Sequence, residues 1–222
     1  MGSELKPIVL VHGAGGGGWS WDPVAPALRE AGHEVRTPDL ELRDAATTVA
    51  DHAQQIVEAI GDLDDVVLVG HSYGGMPITV AADRVPERLA RLVYLDALAP
   101  RDGDTAWSER PDLERFMTSH ARDGLIPPIP PEYVGADPEH YELLRERLTT
   151  TPLRCMADPV ALTGAGASVP RAYVLCTQSG FRPVADRVRD EPGWDYREID
   201  TKHMAMLTAP REVTELLLEL AA

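Results

Sequence analysis

Val66-Val67-Leu68-Val69-Gly70-His71-Ser72-Tyr73-Gly74-Gly75 is the stretch that decides how this chain folds. Four apolar residues, three of them β-branched, run straight into a G-x-S-x-G pentapeptide, and a helical pattern follows. That is the layout of a strand, a sharp turn carrying serine, and a helix. A serine hydroxyl is a weak nucleophile unless the fold presents and activates it. Gly70 and Gly74 flank a turn in which a Cβ is expected to collide with neighbouring backbone. The helix N-terminus behind Ser72 favours negative charge near its first amides. The pentapeptide is short, and the plain alternative is a glycine-rich turn with a surface serine. The rest of the chain weighs between the two.

Working outward, 8–11 is a short apolar run of the kind that a parallel strand buried on both faces shows. It breaks at His12-Gly13-Ala14-Gly15-Gly16-Gly17-Gly18. A helix pattern then places Val24, Leu28 and Ala31 on one side and stops at Gly32. The spacing predicts a second strand over 33–37 and an amphipathic helix over 48–60, with Val49, Ala53, Ile56, Val57 and Ile60 as its stripe. The third strand is expected at 66–69, a helix from Tyr73 to near Pro86, and a fourth strand at 89–95 ending on Asp96. Prolines cluster at 127–131, and Asp137-Pro138 reads as a helix start ahead of Leu143, Leu144 and Leu148. Strands resume at 172–175 and 196–199. A last helix runs from Pro210, with Val213, Leu216, Leu217 and Leu220 on one face. Alternating strand and helix favours a mostly parallel central sheet with helices on both faces. The expected division is a core of 1–100 and 170–222 with an inserted helical lid at 101–169.

Composition narrows the partners. A chain of 222 residues, 44% hydrophobic, can bury one sizeable core. A net charge of −15 repels nucleic acid and anionic lipid, which leaves small neutral molecules and proteins. Cys155 and Cys176 are too few for a disulfide framework. No leader-like or membrane-length apolar run stands out, so a cytoplasmic location is expected. A homodimer is compatible with these features.

In a parallel sheet the chemistry gathers at the carboxyl ends of the strands. His12, Ser72, Asp96, Ser179 and His203 all fall just past expected strand ends. Of the seven histidines, His33 lies at the wrong end of the sheet. His52, His120 and His140 lie in helical or lid segments expected to face solvent. His71 should point away from Ser72, and His12 belongs to the first loop. His203 follows a late strand and precedes the final helix, so it is the expected base. Two fixed amides must hold a tetrahedral oxyanion, and those of Ala14 and Tyr73 are the candidates. The run 15–18 is expected to let backbone approach the substrate. Glycines at G-x-G-x-x-G spacing from Gly13 also admit a dinucleotide site, although Asp39 alone stands where a ribose-binding acid would be needed. For the triad acid, Asp96 ends the strand next to the elbow strand. Asp186 reads as part of an exposed helix, and Asp195 and Asp200 flank a strand and are expected to point elsewhere. Asp96 as a mere helix cap or lid anchor stays open.

Three segments, His12-Gly13-Ala14-Gly15-Gly16-Gly17-Gly18-Trp19-Ser20-Trp21, Gly70-His71-Ser72-Tyr73-Gly74-Gly75 and His203-Met204-Ala205-Met206-Leu207, resemble the α/β-hydrolase superfamily. More narrowly they are similar to the branch of plant methylesterases, salicylate-binding esterases and hydroxynitrile lyases with their bacterial relatives. The resemblance implies an α/β-hydrolase fold, a Ser72–His203–acid triad and no cofactor or metal. Two departures stand out. The branch usually carries its acid in the loop after the strand at 172–175, where this chain has Ser179. Some α/β-hydrolases carry it one strand earlier, and Leu92-Val93-Tyr94-Leu95-Asp96 resembles that arrangement. Hydroxynitrile lyases place a lysine directly after the catalytic histidine, where this chain has Met204; Lys202 precedes the histidine and is expected to diverge.

The expectation is a serine esterase that cleaves a small-molecule carboxylic ester or lactone through an acyl-enzyme on Ser72. His203 is the base, Asp96 its orienting acid, and the Ala14 and Tyr73 amides the oxyanion hole. Trp107, Phe116, Met117, Tyr133, Tyr141 and Met156 are expected to shape an apolar pocket or the lid's own core. Two alternatives differ in class: non-ester chemistry on the same triad, such as cyanohydrin cleavage or a biosynthetic cyclisation, and a ligand-binding protein with a triad degraded at Ser179.

Overall fold

A computed structural model describes residues 5–130, 141–142 and 144–222. The expected helix start at Asp137-Pro138, and Tyr133, His140 and Leu143, lie outside the described residues. Six strands form the central sheet in the order β2-β1-β3-β4-β7-β8: β1 (Ile8–Val11), β2 (Val35–Arg36), β3 (Val66–His71), β4 (Leu89–Leu95), β7 (Arg171–Cys176) and β8 (Trp194–Ile199). Every pairing among them is parallel. Alternate side chains point to opposite faces, and here both faces are apolar. Val9, Val11, Leu68, Tyr94 and Leu175 join one core beneath the helices α2 (Val49–Ile60) and α3 (Gly75–Arg84). Ile8, Leu10, Val67, Val69, Val93 and Val174 join the other, with α1 (Ala25–Glu30) and the C-terminal helix at Pro210–Ala221. Full burial of a Val or Leu side chain contributes about 1.5–3 kcal/mol, against about 0.5–1.5 for a net backbone hydrogen bond. Two-sided burial therefore decides that β1, β3, β4 and β7 take the middle. The edges are β2, only two residues long instead of the expected 33–37, and the half-exposed β8.

The switch from β3 to α3 keeps the expected order of strand, turn and helix but shifts its bounds. The strand continues two residues past 69, through Gly70 and His71, and a single 3-10 turn, Ser72–Gly74, separates it from α3. Ser72 sits at φ 56°, in the left-handed region that an L-residue rarely takes. A Cβ at Gly70 would lie 2.7 Å from the Gly74 carbonyl oxygen, and one at Gly74 2.8 Å from that of His12. At Gly75 it would fall 1.8 Å from the Leu98 oxygen. Only glycine lets the elbow press against the loops after β1 and β4 in this way.

Between β4 and β7 the chain carries α4 (Ala106–Glu109), α5 (Pro111–His120), the antiparallel pair β5 (Leu125–Ile126) and β6 (Thr151–Pro152), and α6 (Leu153–Ala157). Glu109, buried in α4, accepts from the Ala99 N–H at 2.6 Å and pairs with Arg187 of α7 (Arg182–Arg189). This bond tethers the segment to the loop after β4. The short helix α8 (Ala205–Thr208) and α9 (Pro210–Ala221) close the chain. Among the described residues no helix is long and apolar enough to cross a membrane.

Candidate active site

Three of the residues singled out in the sequence meet at the carboxyl end of the sheet. The Ser72 hydroxyl lies 2.9 Å from Nε2 of His203, and Nδ1 of His203 lies 2.6 Å from Oδ2 of Asp96. A carboxylate only accepts, so Nδ1 carries the ring proton and the Nε2 lone pair faces the Ser72 O–H. Asp96 is fully buried and sits at φ 46°, a left-handed residue at a strand end like Ser72. Such strain costs of order 1–3 kcal/mol and persists where the surroundings fix it. Here the surroundings are two donors on the other carboxylate oxygen: the Cys176 N–H at 3.1 Å and the Ser179 hydroxyl at 2.8 Å reach Oδ1. The other acids are elsewhere. Asp186 pairs with Arg189, Asp195 with Arg91 and Arg197, and Asp200 accepts from Thr177 and Gln178.

Neighbours that the sequence did not reveal hold the His203 ring. Phe181 stacks on it nearly parallel, at 8° with centroids 4.8 Å apart. His71 packs at 4.6 Å and donates from Nε2 to the His203 carbonyl at 2.9 Å. No sequence signal marked Phe181, and Ser179 read as a lost acid rather than as the donor that it is.

Among the described residues the remaining histidines are committed to other bonds. His12 donates from Nδ1 to the Gly13 carbonyl at 2.8 Å, and its Nε2 accepts the Leu40 N–H at 3.1 Å. His33 donates to the Lys6 carbonyl and His120 to that of Phe116. His52 corrects the solvent-facing expectation: it is fully buried. Its position three residues past Val49 and four before Ile56 puts it on the apolar stripe of α2, where the bonds at both ring nitrogens satisfy it.

Burial lowers His12 to about 4, and desolvation depresses His52 and His71 in the same direction. The unfolded chain therefore takes up protons that the native state refuses. The contribution is complete above the ordinary histidine value and is lost as the pH falls toward 4. For His12 alone it amounts to about 3 kcal/mol. Melting temperature should drop steadily between pH 7 and 4; a flat profile would contradict the neutral, buried state of these rings.

The glycine-rich loop also departs from expectation. Gly13, Ala14 and Gly16 line the cavity above Ser72. Gly17 and Gly18 do not face it: a Cβ at Gly17 would meet the Trp19 ring and Asp39, and one at Gly18 would lie 2.3 Å from the Thr37 oxygen. These two glycines let the loop pack on the chain after β2. Asp39 accepts the Gly18 N–H at 2.6 Å, so it pins the loop and is not aimed at a ribose. Ala14 and Tyr73, whose amides are the expected oxyanion donors, both line the cavity with Ser72. Trp107, Met117 and Met156 face the cavity, with Leu113, Leu144 and Phe181. Phe116 and Tyr141 do not line it. Arg110 also borders the cavity, with its charge taken up by both Asp112 oxygens. Met204, in the position where a lyase lysine would stand, is an apolar wall. Among the described residues no group of three or more His, Cys, Asp or Glu is placed to hold a metal ion. The arrangement is suited to moving a proton from a hydroxyl to an imidazole within a largely apolar chamber.

A model of the alpha/beta hydrolase family matches residues 8–216. The chain is 35% identical to a carbendazim hydrolyzing esterase of a Nocardioides strain, over 96% of this chain and 98% of that one. It is 29% identical to methylesterase 9 of Arabidopsis thaliana over 98% of each. An extracellular α/β-hydrolase from a Paenibacillus species superposes with a TM-score of 0.85 at 23% identity, covering 96% of this chain and 98% of that one.

Proposed function

The chain belongs to the alpha/beta hydrolase family, and from that premise we propose that it is a carboxylic ester hydrolase working through an acyl-enzyme on Ser72. The observation that carries the reading is the unbroken chain of hydrogen bonds from Ser72 through His203 to Asp96, opening into an apolar cavity. The relatives named as esterases support the reaction class.

In this reading the Ser72 oxygen forms a bond to the ester carbonyl carbon while its proton passes to Nε2 of His203. The carbonyl electron pair moves onto oxygen, where the N–H groups of Ala14 and Tyr73 receive it. Each such donor is worth about 2.7–4 kcal/mol of barrier. Collapse breaks the bond to the alcohol oxygen, which leaves with the proton that His203 held. A water then repeats the sequence and releases the acid. Asp96 keeps the ring proton on Nδ1 and stabilises the imidazolium. The insertion at 101–169 is the lid, its Trp107, Leu113, Met117 and Met156 are apolar walls of the cavity, and a neutral small-molecule ester or lactone is the substrate class.

The alternatives weaken on particular residues. Cyanide release calls for a cation where Met204 stands. The degraded-triad reading rested on Ser179, whose hydroxyl supports Asp96. The test is a panel of p-nitrophenyl and methyl esters with acyl groups from acetyl to benzoyl. Saturable release of the alcohol is expected; tight binding of the panel without any turnover would reject the esterase reading.

A further inference from the structure

Behind the elbow lies a buried polar cluster that the proposed reaction does not use. Tyr73 follows Ser72 directly and is 1% exposed. The Glu41 carbonyl, 2.7 Å from Nε2 of His52, can only accept, so the ring proton sits on Nε2. Nδ1 is then free to accept the Tyr73 phenol proton, at 2.8 Å. Cys155 on α6 brings in a third element. Its thiol donates to the Thr47 carbonyl at 3.4 Å and lies 3.7 Å from Nδ1 of His52. The next residue, Met156, is a wall of the active-site cavity. The phenol thus ties the elbow to α2 and, through His52, to the chain after β2. The turn is held at its backbone, where the Leu98 N–H donates to the Ser72 carbonyl at 3.0 Å and Gly74 and Gly75 pack on the loops after β1 and β4, while Ser72 itself keeps a strained conformation. An oxyanion donor is effective only about 2.7–3.1 Å from the developing charge.

We infer that Tyr73 is a positioning residue, whose hydroxyl, held by His52, fixes the backbone N–H of the same residue against the oxyanion. The inference rests on the reading of Ser72 as the nucleophile.

Tyr73→Phe removes only the hydroxyl. It should lower kcat by roughly tenfold, because small displacements of a reacting group are costly, while KM stays within about twofold. Affinity for trifluoroacetophenone, which forms an oxyanion on Ser72, should fall in parallel, and affinity for benzoate should not. His52→Leu should produce the same loss, and the Tyr73→Phe/His52→Leu double variant no further loss, because both break one bond. His52→Gln, which keeps one donor and one acceptor, should retain most of the activity. Either Tyr73→Phe or His52→Leu lowering the melting temperature with kcat and trifluoroacetophenone affinity unchanged would overturn the inference. If one variant fails to fold, the other decides by the same readouts. Full turnover in Ser72→Ala would instead bring down the underlying reading of the site.

Discussion

Ser72→Ala should abolish ester turnover, with kcat reduced on the order of 10⁶-fold, the size of loss expected when the attacking oxygen of a triad is removed. The argument is local. The hydroxyl is the only group on the elbow within 2.9 Å of Nε2 of His203. Without it the imidazole can still activate water, but no acyl-enzyme forms and the two easier steps merge into one difficult one. The fold should survive, because alanine removes only the hydroxyl and keeps the Cβ that position 72 already carries at φ 56°. A near-native melting temperature together with lost turnover separates chemistry from stability. Activity persisting above about a hundredth of the starting rate would show that another group attacks.

Asp96→Asn should cost on the order of 10⁴-fold in kcat, and for a specific reason. Two donors, the Cys176 N–H and the Ser179 O–H, converge on Oδ1. An asparagine must therefore place its oxygen there and turn its NH2 group toward Nδ1 of His203. Nδ1 would then have to accept, the ring proton would move to Nε2, and that proton would face the Ser72 oxygen. The base would carry its proton on the wrong nitrogen, with almost no change in shape. Asp186→Asn, on the exposed face of α7, should leave the rate unchanged. Near-normal kcat in Asp96→Asn would remove Asp96 from the site.

Sequence and structure agree where chemistry and backbone geometry share a signature. Ser72 was legible because a buried strand running into glycines at positions 70 and 74 allows few other conformations. The placement of His203 beside Ser72 is legible through chain order, and that of Asp96 through its position at the end of the strand beside the elbow. The fold class followed from apolar runs too short and too β-branched for helices. Side-chain environment was harder to read. His52 looked like a surface residue because polar identity outweighed its place on the α2 stripe, and its burial depends on partners from Glu41 and Tyr73 that are distant in sequence. The run 15–18 looked uniform, yet Gly16 faces the cavity while Gly17 and Gly18 pack on the chain after β2, a distinction set by tertiary contact. Ser179 reads in the sequence as a missing carboxylate, but its bond to Asp96 spans 83 residues and has no sequence pattern. Phe181 carried no signal, since a phenylalanine beside a turn is ordinary until the ring that it stacks on is known.

The central claim is that the hydroxyl at position 72 is activated by His203. The most direct measurement is reaction of the intact protein with a fluorophosphonate, followed by peptide mapping of the adduct, for the native chain and for His203→Ala. A single phosphonyl adduct on Ser72 that forms rapidly in the native chain and far more slowly in His203→Ala is the predicted result. An adduct on a different serine, or ester turnover in a protein that takes up no label, would contradict it.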